Sequence, residues 1–175
     1  MRPAPRALYL DGGAEPVFAI LHEPTGAAAR DTAALICPPY GWEEVCSYRS
    51  RRWWAEQLAA DGYATLRLSF PSTGDSGGSP RDPARLDAWT SAVAAAASRL
   101  RGAAGANRLV AIGLGLGGMV AYRAAASGAE IDELALWATP ARGKVAGPRA
   151  ARILRAGGIA LLRGTGPPAV PAGTG

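Results

Sequence analysis

The apolar positions of the chain alternate between two rhythms. Short apolar runs stand at residues 7–10, 17–22, 33–37, 64–70, 108–112 and 133–138, each followed within two residues by Gly or Pro. Between the later runs the spacing turns helical. Trp54 and Leu58 share a face in residues 50–60, with Gly62 placed as a C-terminal cap. Asp82-Pro83 predicts a helix start, and Leu86, Trp89, Val93, Ala97 and Leu100 form the stripe that follows, ended by Gly102. A shorter helix is predicted over 119–127, closed by Gly128. The first two runs flank Asp11-Gly12-Gly13 and predict a hairpin, while the continuous run at 33–37 suits a strand buried on both faces. Strands alternating with helices predict an α/β fold, with a mostly parallel sheet and helices on both faces. Sites in such sheets lie at the carboxyl ends of the strands, here loops 38–47, 71–80 and 113–118.

The pattern breaks after Thr139. Residues 140–175 contain no acid and no aromatic, and 164–175 are rich in Gly and Pro. The expected organisation is a partial domain over 1–139 and a basic, poorly ordered tail over 140–175, with at most a short helix at 152–162. The abrupt change predicts a reading-frame change or a truncated gene in GC-rich DNA.

Charge sharpens this division. The net charge of +5 invites a nucleic-acid or membrane partner. All of it comes from the tail, where Arg142, Lys144, Arg149, Arg152, Arg155 and Arg163 stand unopposed, leaving 13 basic and 14 acidic residues in 1–139. The body therefore carries no field that would draw it to phosphates, and no nucleic-acid partner is expected. No apolar run of membrane-spanning length or signal-peptide form is present, so a soluble, cytoplasmic protein with no membrane partner is expected. Cys37 and Cys46 are too few for a disulfide framework, and neither a metal site nor a cofactor is expected.

The chemistry concentrates at one turn. Leu109-Val110-Ala111-Ile112-Gly113-Leu114-Gly115-Leu116-Gly117-Gly118 reads as strand, sharp turn and helix. It resembles the nucleophile elbow, G-x-S-x-G, of the α/β-hydrolases. Gly113, Gly117 and Gly118 suit an elbow that brings strand and helix backbones together, and Gly115 stands at its tip. The resemblance extends to Cys37-Pro38-Pro39-Tyr40-Gly41-Trp42-Glu43-Glu44, which is similar to the oxyanion-hole loop. It includes Ser69-Phe70-Pro71-Ser72-Thr73-Gly74-Asp75-Ser76, similar to the family's glycine-rich loop after the next strand, and the helix start Arg49-Ser50-Arg51-Arg52. The branch most similar is that of the serine-aminopeptidase-like and exosortase-system-associated hydrolases, over residues 7–139.

The resemblance implies an ester or amide hydrolase by descent, with oxyanion-hole N–H groups near Tyr40 and at Leu116, and Gly41, Asp75 and Ser76 in pocket loops. It also implies that the chain is catalytically incomplete. Gly115 offers no nucleophile, and no acid and histidine follow late in the chain in the family's order. A second reading is a non-catalytic module that binds a small acyl-type ligand in the same pocket. A third is NAD-type dinucleotide binding, since Gly113-x-Gly115-x-x-Gly118 also fits G-x-G-x-x-G. That reading wants an acid at the carboxyl end of the next strand, whereas Asp132 precedes the strand.

The remaining polar groups have ordinary explanations. His22, the single histidine, reads as structural, and Cys37 and Cys46 as packed or idle thiols. Arg49, Arg51 and Arg52 near Glu43 and Glu44 read first as local ion pairs and second as a site for an acidic substrate. Trp53, Trp54 and Trp89 read as core anchors.

Overall fold

The structure, a computed structural model, describes residues 4–11, 13–26, 28–140, 152–156 and 159–163. Strands β1 (Arg6–Asp11) and β2 (Pro16–His22) form the expected antiparallel hairpin. They are followed by β3 (Thr32–Cys37), α1 (Trp42–Ala60), β4 (Thr65–Leu68), α2 (Arg85–Ala104), β5 (Arg108–Leu114), α3 (Leu116–Ala126) and β6 (Glu133–Trp137). The sheet order is β1-β2-β4-β3-β5-β6, and the central strands β4, β3, β5 and β6 run parallel. The α/β class and the parallel centre are those expected from the alternation of strand and helix.

Alternation within the strands sorts the core. Leu66 and Leu68 of β4, with Ala33, Leu35 and Cys37 of β3, point to the face that carries α2 and α3. Trp89, Val93, Ala97 and Leu100 of α2 fill this core, as the helical stripe predicts. The opposite parity, Arg67 of β4 included, faces α1.

Boundaries differ from expectation at several elements, α3 starting at Leu116 rather than at 119 among them. Helix α1 starts at Trp42, eight residues before the predicted start, so most of the predicted loop 38–47 is helical. Gly41 allows this with φ 68° and ψ −134°, a conformation open mainly to glycine, and Glu43 and Glu44 in the first turn favour the positive end of the helix. Helix α2 begins at Arg85, capped by Ala84 in the left-handed region, because the Asp82 carboxylate instead accepts from the Ser79 N–H at 2.5 Å. Beyond β6, strands β7 (Arg152–Ala156) and β8 (Ile159–Arg163) form an antiparallel hairpin, with β8 beside β6, where a short helix was expected. The rest of 141–175 lies outside the described residues. Among the described residues no helix is long and apolar enough to cross a membrane.

Candidate functional site

The elbow is built by close approach of three backbones. Register pairs Cys37 with Gly113 and Leu114 with Trp137, so β3, β5 and β6 end together. The Gly115 N–H donates to the Trp137 carbonyl at 2.9 Å, and the Gly118 N–H donates to the Gly115 carbonyl at 3.1 Å. A Cβ on Gly113 would stand 2.8 Å from the Gly118 nitrogen, one on Gly117 2.6 Å from the Cys37 carbonyl oxygen, and one on Gly118 against the Thr139 side chain. Gly113 and Gly117 are therefore required by backbone contact alone, while a side chain at Gly118 would have to displace Thr139.

Gly115 differs from these. Its φ of 50° and ψ of −124° lie outside the left-handed helical well and in a region that strains any residue with a side chain. The space above it is taken by a side chain. A Cβ built on Gly115 would stand 2.7 Å from Glu43 Oε2 and 3.3 Å from Pro39 Cβ. The early start of α1 brings Glu43 here, and the predicted loop boundaries concealed it.

The two oxyanion-hole candidates stand on separate segments. Leu116 is the first residue of α3, so its N–H has no acceptor one turn back in the helix, whereas the Gly115 and Gly118 N–H groups are taken by Trp137 and Gly115. Tyr40 lies on the segment between Pro39 and α1, its ring 5.1 Å from Trp89 and its hydroxyl accepting from Arg85 at 3.3 Å. Trp89 is a core anchor, stacked on Phe70 at 5.0 Å and donating to the Pro71 carbonyl at 2.9 Å.

Other candidates lie elsewhere. The Ser76 hydroxyl accepts from the Phe18 N–H and donates to the Ser69 carbonyl, both at 2.8 Å, which latches its loop to the sheet. Asp75 is exposed beside it. His22 is on β2, separated from β5 by β4 and β3, so topology keeps it from the elbow. Its Nε2 accepts from Arg67 Nε at 3.2 Å. Burial first, and the Arg67 charge second, lower its pKa to about 4, so it is neutral near pH 7. Cys37 is fully buried and its thiol is pushed up to about 12 by that burial, while Cys46 is exposed on α1. Asp132 accepts from the Leu109 N–H at 2.7 Å and from Arg101 at 2.5 Å, at the amino end of β6. Among the described residues no group of His, Cys, Asp and Glu is placed to hold a metal ion.

The arginine cluster divides. Arg51 pairs with Glu44 at 3.2 Å and Arg52 with Glu56 at 2.8 Å, as local ion pairs. Arg67, which sequence reasoning passed over, is buried beside them. No sequence signal marks it: an arginine among four buried strand positions is an anomaly that asks for a partner, but that burial is visible only in the structure.

No protein-family model and no curated protein matches the sequence. Solved structures do match. An α/β serine hydrolase without a lid from Xanthomonas campestris is 25% identical with a TM-score of 0.68, over 83% of this chain and 66% of that one. A hypothetical protein from Pseudomonas aeruginosa is 25% identical with a TM-score of 0.66, over 79% and 44%. An α/β serine hydrolase homologue from Coxiella burnetii, 15% identical with a TM-score of 0.65, shares the fold over 79% and 65%. The chain thus spans 44–66% of the length of these three structures. The strand order, the strand–turn–helix at Gly115 and these likenesses together relate the chain to the α/β-hydrolase superfamily.

Proposed function

We propose that this chain is a non-hydrolytic relative of ester and amide hydrolases that binds a small acyl-type ligand at its elbow without forming an acyl-enzyme. The observation that carries this is Gly115: an elbow backbone with no side chain, and a carboxylate from Glu43 where a nucleophile would begin. Covalent catalysis needs an atom to attack with, and glycine supplies none. Glu43 also opposes the negative charge that acyl transfer develops beside the elbow. The N–H groups at Leu116 and near Tyr40 need no particular side chain, so they still suit a carbonyl oxygen, while Glu43 suits a ligand N–H or O–H. That pairing favours neutral amides or hydroxy-acyl compounds over free acids.

A serine-aminopeptidase-like ancestry, a cytoplasmic setting and the absence of a nucleic-acid partner belong to the same proposal. Dinucleotide binding is less well supported, because Asp132 is bonded at the wrong end of β6 and the carboxyl end carries Trp137. The test is incubation with a fluorophosphonate, followed by intact-mass measurement. No mass shift is expected, and a stoichiometric adduct that forms on the native chain but not on chain unfolded beforehand would contradict the proposal.

A further inference from the structure

A cavity of about 410 Å³ opens between α1 and the β2–β4 pair, and Gly115 is not among its lining residues. Phe18, Ile20 and Val45 give it apolar walls, and three arginines, Arg49, Arg51 and Arg67, reach it. Glu44 and Asp75 also line it, so cations outnumber anions by one.

Arg49 is exposed to solvent, so the buried cations of the lining are Arg51 and Arg67. Arg51 is answered by the Glu44 carboxylate at 3.2 Å and the Glu44 carbonyl at 2.9 Å. Arg67 is only 6% exposed, and among the described residues no carboxylate lies within ion-pair distance of it. Its Nε donates to His22, and its guanidinium lies over the Tyr48 ring, 5.5 Å from the centroid. Neither partner is a carboxylate. A buried guanidinium with no carboxylate in contact, Glu56 acting on it only from beyond ion-pair distance, is costly, and an anion arriving through the cavity relieves that cost. The guanidinium fork matches a carboxylate, and a single negative charge balances the lining, whereas a dianion would leave an excess beside Glu44 and Asp75.

We propose that this cavity is a carboxylate site for a small amphipathic monoanion, its carboxylate on Arg67 and its apolar end against Phe18, Ile20 and Val45. The site is independent of the elbow and does not rest on the proposed function.

Calorimetric titration with octanoate tests it, with neutral octanamide as the matched probe. Octanoate is expected to bind with one-to-one stoichiometry and octanamide at least about tenfold more weakly. Arg67→Met fills the same space without the charge and is expected to fold, since it removes an uncompensated cation. It should lower octanoate affinity by about tenfold or more. Arg49→Gln, at an exposed rim position, tests the same field with no core change and should weaken octanoate binding by about threefold. Equal binding of octanamide, absence of octanoate binding at millimolar concentration, or full affinity in both variants would overturn the proposal. Affinity lost in Glu43→Gln but kept in Arg67→Met would overturn it as well, by moving the ligand to the elbow.

Discussion

Glu43 and Gly115 meet at the carboxyl edge of the sheet: Oε2 of the one stands 2.7 Å from where a Cβ of the other would be. The two are far apart in sequence and are joined only because α1 begins at Trp42 directly after the β3 loop. The contact places a carboxylate acceptor beside the first turn of α3, where Leu116 is the first helical residue, and it sets the first prediction.

Replacing Gly115 with serine does not create a hydrolase. The new side chain must adopt φ near 50° with ψ near −124°, which costs about 1–3 kcal/mol, and it must displace the Glu43 carboxylate. Thermal unfolding should show a lowered Tm, and ester turnover should stay at the wild-type background. A large gain in turnover would show that the remaining machinery is in place.

Gly113→Ala should be more damaging than a surface change of equal size. Its Cβ meets the backbone of Gly118, which cannot swing aside as a side chain can. A loss of about 3 kcal/mol or more is expected, at the upper end for overpacking, measured by urea unfolding. A change below about 0.5 kcal/mol, the range of ordinary surface substitutions, would show that the elbow opens freely.

His22 gives stability a defined pH dependence. Its folded pKa of about 4 lies below the unfolded value near 6.5, so the unfolded chain takes up the proton first as pH falls. The contribution is complete above about pH 6.5 and is lost progressively down to about pH 4, by at most about 3 kcal/mol. His22→Gln keeps an acceptor for Arg67 and should flatten the unfolding free energy across that window. An unchanged slope in the variant would assign the pH dependence to other groups.

The two thiols should separate cleanly. Cys37 is buried with its thiol raised to about 12, and Cys46 is exposed. At pH 8 a disulfide reagent such as Ellman's should label one thiol per native chain and two after denaturation. Rapid native labelling of both would mean that the β3 end opens.

Much of the fold was legible because its signals are local. Continuous apolar runs such as 33–37 mark strands that later prove fully buried, and the stripe from Trp89 to Leu100 marks the face that fills the core. The elbow was legible because glycines at fixed spacing answer a contact requirement. Glu43 and Arg67 were not, for different reasons. Glu43 acquires its role from a helix boundary, which depends on Gly41 tolerating a conformation that composition does not announce. Arg67 takes its meaning from neighbours on β2 and α1, since a strand arginine reads as exposed until all four positions of β4 are known to be buried.

The central claim is that no acyl-enzyme forms at Gly115. Stopped-flow mixing of the protein with p-nitrophenyl acetate tests it most directly, by following p-nitrophenolate through the first turnover. The account predicts a linear trace from time zero, with a slope equal to that of the Gly115→Ala variant and no burst. A burst stoichiometric with protein, abolished by prior treatment with a phosphonate, would contradict it and require a nucleophile elsewhere in the chain.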